Sequence, residues 1–270
     1  MTKNYFNRAI KNGISLLAVT FLLGSCKYQD LAEAVYPDQL IYLSASVAGV
    51  YAVDKVAAPN SVGVIGATRY AVDLGAKKLN IPLAVSRSGT SYDGDFSATL
   101  AANTDTITKL IAANSTLLTG TELLPAANYA IPTSVTGVSG KDNTTFNLIL
   151  DLDYLRNNAT KKFAVGISIT GSQPAVNSKL NTAIVVIDAK ILKPVANFTS
   201  KVTTKTVAFT NISTYGVSYS WNFGDGSSVS TSAAPTYTYA AAGTYTVILT
   251  ATGITGSQDA NVKTLTVTVL

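Results

Sequence analysis

Hydrophobic and polar positions alternate with a period of two along much of this chain, most regularly towards its end. Val207 and Phe209 alternate with Thr206, Ala208 and Thr210. Tyr219, Trp221 and Phe223 alternate with Ser218, Ser220 and Asn222, and Tyr245, Val247, Leu249 and Ala251 with Thr246, Ile248 and Thr250. Leu265, Val267 and Val269 then alternate with threonines. One apolar face per run predicts half-buried antiparallel strands. Gly224-Asp225-Gly226-Ser227, Ala242-Gly243 and Gly253-Ile254-Thr255-Gly256 supply turns between them. Short strands at this spacing predict a β-sandwich over residues 193–270.

Strand signals also run through residues 39–192, at 40–44, 49–53, 68–74, 79–87, 128–131, 144–150, 163–170 and 183–187. One stretch changes period. In 103–113, Ile107, Leu110 and Ile111 share a face at i, i+3, i+4, which predicts a short helix. Residues 151–156 read as a further helical turn. The expectation is an all-β chain of two sandwiches in tandem, the first with a short helix. The join at Ile191-Leu192-Lys193-Pro194 is short, and Pro194 fixes one backbone angle and biases Lys193 to an extended form. The two are therefore expected to stand in a fairly rigid row.

The N-terminus follows neither pattern. Lys3, Arg8 and Lys11 precede an apolar run, Ile14 to Leu23, without any acid. A permanent membrane helix needs about 20 apolar residues, and this run is shorter. A basic start, a short apolar middle and small residues at its end predict a secretory signal peptide over 1–25. It closes in Leu23-Gly24-Ser25-Cys26, which resembles the lipobox of bacterial lipoproteins. That resemblance implies cleavage before Cys26, a diacylglyceryl thioether on its sulfur and acylation (palmitate or a similar chain) of the new amine. Two or more acyl chains anchor a protein stably. Residues 26–38 read as a lipidated tether whose dozen residues span at most about 40 Å.

Composition narrows the chemistry. The formal net charge is +5, and removing the three N-terminal cations leaves +2. Lys77-Lys78 and Lys161-Lys162 are scattered pairs, not the clustered patch that nucleic acid requires. There is no histidine, which excludes His-based triads, zinc sites and general acid–base chemistry. Cys26 is the only cysteine, so lipidation leaves none for a disulfide or thiolate site. No metal site, cofactor or catalytic residue is expected.

The C-terminal segments resemble a family in order and spacing. Pro194-Val195-Ala196-Asn197-Phe198, Val207 to Ser213, Trp221-Asn222-Phe223-Gly224-Asp225-Gly226, Pro235-Thr236-Tyr237-Thr238-Tyr239 and Gly243-Thr244-Tyr245-Thr246-Val247 are similar to a polycystic kidney disease (PKD) domain. Asn222 stands where the common form has Asp. The resemblance implies an immunoglobulin-like sandwich that serves as an extracellular spacer or interaction module. Its alternation makes Trp221 a core residue and not a sugar platform. Asn222 and Asp225 could offer oxygens to Ca²⁺, but a Gly-flanked Asp more readily caps its own turn amides. Tyr215, Tyr237 and Tyr239 are the candidate ligand contacts.

Leu79 to Val85, Leu123-Leu124-Pro125-Ala126-Ala127-Asn128-Tyr129-Ala130-Ile131, Phe146 to Leu150 and Lys162 to Ile169 resemble the uncharacterised N-terminal β-sandwich of Bacteroidetes-type surface lipoproteins, the kind preceding surface endoglycosidases. The resemblance implies an immunoglobulin-like accessory domain without catalytic residues. Two acid pairs are the candidates for glycosidase carboxylates. Asp93-Gly94-Asp95 reads as a hairpin turn, and Asp151 and Asp153 as the start of a helical turn. Asp105-Thr106-Ile107 fits a short bacterial O-glycosylation signal, which makes Thr106 a candidate modification site. The whole reads as a non-enzymatic lipoprotein of the outer membrane, anchored through Cys26 and displayed on the cell surface. It binds glycan or assists a polysaccharide-utilisation system, or else it is a structural or adhesive lipoprotein contacting other surface proteins. Fold-level analogy is the warrant for that choice.

Overall fold

The computed structural model describes residues 38–56, 69–89, 91–171 and 173–270. Cys26 and the signal segment lie outside them. Among the described residues, no helix is long and apolar enough to cross a membrane.

Residues 40–188 build two mixed sheets. The first orders β11 (Ala175–Val176), β1 (Leu40–Leu43), β4 (Lys78–Arg87), β9 (Asn143–Asp151) and β7 (Tyr129–Ala130), with β3 (Ala71–Asp73) also on β4. The second orders β2 (Val50–Val53), β12 (Thr182–Asp188), β10 (Lys162–Thr170), β5 (Phe96–Ala102) and β8 (Ser134–Gly137), with β6 (Thr121–Leu123) also on β10. Leu79, Ile81, Leu83 and Val85 of β4 face inward with Phe146, Leu148 and Leu150 of β9, against Val165, Ile167 and Ile169 of β10. This interior is mostly Leu, Ile and Val.

The two helices lie where the periodicity placed them. Asn103 caps α1 (Thr104–Ala112) by accepting from Thr106 N at 3.0 Å, and Asp151 caps α2 (Leu152–Asn157) by accepting from Tyr154 N at 2.9 Å. Ile107 of α1 packs on the outer face of the second sheet with Leu118, Ala164 and Ile184. Gly166 permits that approach, since a Cβ there would lie 2.3 Å from Asn103 O. Strand β5 carried no expectation, because Ala98, Ala101 and Ala102 have weak strand preference and leave only Phe96 and Leu100 as large apolar positions. The Tyr92-Asp93-Gly94-Asp95 segment is not a hairpin. It carries the chain from β4 in one sheet to β5 in the other.

Residues 198–269 form a second pair of sheets. One orders β13 (Phe198–Thr203), β14 (Thr206–Asn211) and β16 (Thr236–Thr238); the other orders β15 (Ser218–Asn222), β17 (Gly243–Gly253) and β18 (Gly256–Val269). Phe198, Phe209, Trp221, Phe223 and Tyr239 fill the space between them. The Phe198 and Trp221 rings meet edge-on at 5.0 Å, and the indole N–H donates to Ser232 O at 2.9 Å.

The two sandwiches are joined by more than the linker. The tip of the β17–β18 hairpin lodges Ile254 against the first core, and Thr255 is fully buried with its hydroxyl donating to Leu192 O. Tyr215 packs there as well. Asp259 of β18, only 2% exposed at its side chain, accepts from Arg156 Nε of α2 at 2.6 Å and pairs with Lys193 of the linker. Arg156 in turn reaches Asp153, which pairs with Lys77 at 2.8 Å. Burial pushes the Asp259 carboxyl up, but hydrogen bonds from Arg156, Lys193 and Thr255 pull it further down, to about 2.

Candidate binding clefts

The first sheet is interrupted on one side of β4. Strand β1 pairs with Val85 to Arg87, and β3 pairs with Lys78 to Asn80, so Ile81 to Ala84 have no strand partner on that side. Pro82 falls in this interval, where a residue without an N–H costs no ladder bond. Beyond β1 the chain leaves the sheet through a 3-10 turn, Ser44–Ala48, and enters β2 in the opposite sheet. The gap and the turn together open a cleft of about 340 Å³ lined by Ser44, Ala45, Ala48, Tyr51, Arg69, Pro82, Leu83, Ala84 and Thr145. Tyr51 is half-buried, and the Arg69 guanidinium lies 4.8 Å over its ring. Burial raises the Tyr51 hydroxyl pKa, with the Arg69 charge pulling the other way. Ser44 and Ser86 share a hydroxyl hydrogen bond of 2.6 Å behind the cleft wall.

A second cleft, of about 530 Å³, is lined by Asp38, Gln39, Asp93, Asp95, Gln173, Pro174 and Ala175. Its frame is Arg87, 3% exposed and paired with no carboxylate among the described residues. Its guanidinium donates instead to the carbonyls of Gly94 at 2.7 Å, Asp93 at 3.3 Å, Val138 at 2.9 Å and Lys141 at 2.6 Å, and lies over the Phe96 ring. The carboxylates serve the loops: Ser139 N donates to Asp95 Oδ1 at 2.8 Å, and the Ser91 hydroxyl donates to Asp93. No metal-holding group of His, Cys, Asp and Glu occurs among the described residues.

The residues singled out from the sequence do not converge. Asp151 is a helix cap, and Asp153 is an ion-pair partner held below the usual carboxylate range, chiefly by the Lys77 hydrogen bond. Thr106 is half-buried in the first turn of α1. Of the candidate tyrosines, Tyr239 is a core residue, 1% exposed, with its hydroxyl donating to Phe223 O at 3.0 Å. It offers a ligand no face, because the small sandwich needs its ring as filling. Tyr215 packs at the junction between the sandwiches. Tyr237 is half-exposed, but it stacks on Phe223 at 3.9 Å and donates to Asp225 Oδ2 at 2.6 Å. Asp225 also accepts from Ser227 N at 3.1 Å, and Asn222 accepts from Gly224 N at 2.9 Å, so both serve the turn. The Tyr51 cleft was missed: its lining comes from segments far apart in sequence, and Pro82 inside a strand-like run was the one local signal.

The PKD family model matches residues 192–269, and a second family model, for an N-terminal domain, matches residues 46–176. Over 80 residues the chain is 42% identical to a pre-pro-metalloprotease, PrtV, of Vibrio cholerae, a match covering 28% of this chain and 9% of that protein. The chain thus spans under a tenth of that relative. The crystal structure of the PKD1 domain from the same protease is 43% identical, covering 28% of this chain and 96% of that one, with TM-score 0.27. A candidate carbohydrate-binding protein from Bacteroides ovatus aligns at 10% identity over 85% of this chain and 70% of its own, with TM-score 0.40. An auxiliary nutrient binding protein from Bacteroides thetaiotaomicron aligns at 15% identity over 64% and 53%, with TM-score 0.33.

Proposed function

We propose that this chain, in which a C-terminal PKD domain follows a larger N-terminal sandwich, is a non-catalytic surface lipoprotein that holds saccharide in the Tyr51 cleft. The observation that carries this reading is the make-up of the cleft. Tyr51, Pro82, Leu83 and Ala84 give it an apolar wall, while Ser44, Thr145 and Arg69 place hydrogen-bonding groups around it. A sugar ring has the same division, with C–H faces that stack on aromatic carbon and hydroxyls that need polar partners. No described carboxylate lines the cleft, which leaves no acid pair to cut a glycosidic bond there. Domains are taken as 39–192 and 193–270, with Cys26 acylated and the protein at the outer membrane. The PKD domain then acts as a spacer or module beside the binding sandwich.

Affinity electrophoresis of the chain from Lys27 onward, across gels containing neutral and acidic polysaccharides, tests the reading. The expected result is retardation by at least one polymer, lost in Thr145→Trp. That variant fills the cleft from an exposed position and leaves the core untouched. Normal mobility in every gel overturns glycan binding, and so does retardation that Thr145→Trp leaves intact.

A further inference from the structure

The described arginines are committed to different degrees. Arg156 is paired with Asp153 and Asp259, and Arg87 gives its donors to four backbone carbonyls. Arg69 has one hydrogen bond among the described residues, from Nη1 to Ala52 O at 3.3 Å, and no ion pair. The segment 57–68 that leads to it contains no acid and no base. Among the described residues of the cleft lining, Arg69 is the only ionisable group besides the Tyr51 phenol, and its guanidinium lies 4.8 Å over the Tyr51 ring. A planar guanidinium whose other donors meet no described partner matches a carboxylate or sulfate oxygen pair, and beside a half-buried wall its charge is less screened than in open water.

We infer that the Tyr51 cleft selects a saccharide bearing an anionic substituent, a uronic acid or a sulfated sugar, with Arg69 as the residue that recognises the charge. This rests on the reading of the cleft as a glycan site. The ring stacks against Tyr51 and Pro82, and the anionic group meets the guanidinium of Arg69. No bond is made or broken.

The test uses the full chain purified in detergent, titrated with three forms of one polymer: polygalacturonate, its carboxyl-reduced form and the sulfated reduced form. Tighter binding of polygalacturonate than of the reduced form identifies a uronate as the source of charge; tighter binding of the sulfated form identifies a sulfate. Arg69→Gln should weaken the preferred acidic form by about 10- to 100-fold, the loss expected when charge-assisted hydrogen bonds are removed, and weaken the reduced form by far less, so that the acidic preference disappears. Arg69→Lys should retain the charge preference with lower affinity, because a point charge replaces a fork. Equal binding of all three polymers, with sensitivity to Thr145→Trp, overturns the inference while the glycan reading stands. Acidic preference that survives Arg69→Gln also overturns it, since the net positive charge of the chain then suffices. Binding of none of the three to wild type, with none on a panel of neutral polysaccharides, overturns both.

Discussion

In the C-terminal sandwich the rings of Phe198, Phe209, Trp221, Phe223 and Tyr239 lie inside, whereas in the N-terminal sandwich Tyr51 stays half-exposed against Arg69 at the mouth of a cleft. The difference follows from sheet size. Two three-stranded sheets offer few inward positions, so large rings must fill the space between them. Two six-stranded sheets offer many, and Leu, Ile and Val fill most of them, with Phe96, Phe146 and Phe163 among them. The larger sandwich can also tolerate an interruption such as the gap beside Pro82. The density of tyrosines along the chain is higher in the C-terminal sandwich, yet Tyr239 there is filling and not surface. The aromatic-rich half uses its rings as structure, and the half with fewer buried rings has an aromatic wall to offer a ligand.

The sharpest way to break this comparison is Trp221→Ala. It removes a fully buried ring and its bond to Ser232, and should cost about 3–5 kcal/mol, measured by urea unfolding followed by tyrosine fluorescence. If the cost falls below about 1 kcal/mol, the small sandwich does not depend on its rings as described. Asp259→Ala comes next. It strands Arg156 and Lys193, and because both keep some access to water the cost should sit near the low end for a broken buried pair, about 3 kcal/mol. Differential scanning calorimetry should then resolve two transitions where wild type shows one. Acid makes the same point without a mutation. The folded pKa of Asp259 lies below its ordinary value, so its contribution is complete above about pH 4 and is lost as pH falls towards about 2. Cleavage by pepsin near Lys193 should rise in that window, and Asp259→Asn should be cleaved more readily than wild type above it. At the other extreme, burial raises the Tyr239 and Tyr70 hydroxyls to about 12. Both sandwiches should therefore lose stability as pH climbs from about 10 towards 12, read by circular dichroism. The smallest effect belongs to the helix cap: Asn103→Ala should cost about 1 kcal/mol and leave the cleft intact.

How much of this was legible depended on whether the cause was local. Strands β14, β15, β17 and β18 and both helices follow from periodicity and caps, whereas β13 and β16 do not. Asn103 and Asp151 stand at the first turns because their side chains accept orphan amide protons. The alternation of Trp221 with Tyr219 and Phe223 placed it in the core, where it lies. Tyr239 follows Pro235 and Tyr237 along the inward side of a run only three residues long as a strand, with its N–H still donating to Lys205 O at 2.9 Å, and so short a run gives little periodicity to read. Arg87 gave no sign of burial, since its partners are carbonyls that any sequence has. Asp259, in Ser257-Gln258-Asp259-Ala260, reads as a polar strand residue until α2 arrives beside it. The Tyr51 cleft depends on where pairing stops, and a residue pattern records only where pairing can occur.

The seated hairpin tip has a mechanical consequence. With Ile254 and Thr255 lodged in the neighbouring sandwich and Asp259 tied to both α2 and the linker, the described parts of the two sandwiches are held together as one compact unit. A polymer held at Tyr51 in the proposed way would pass a tug through β17 and β18 to the whole unit, with no bend at Lys193 to absorb it. The mouth of the cleft keeps a fixed bearing to the far end of the chain, and repeated copies would hold their captured strands at one common heading.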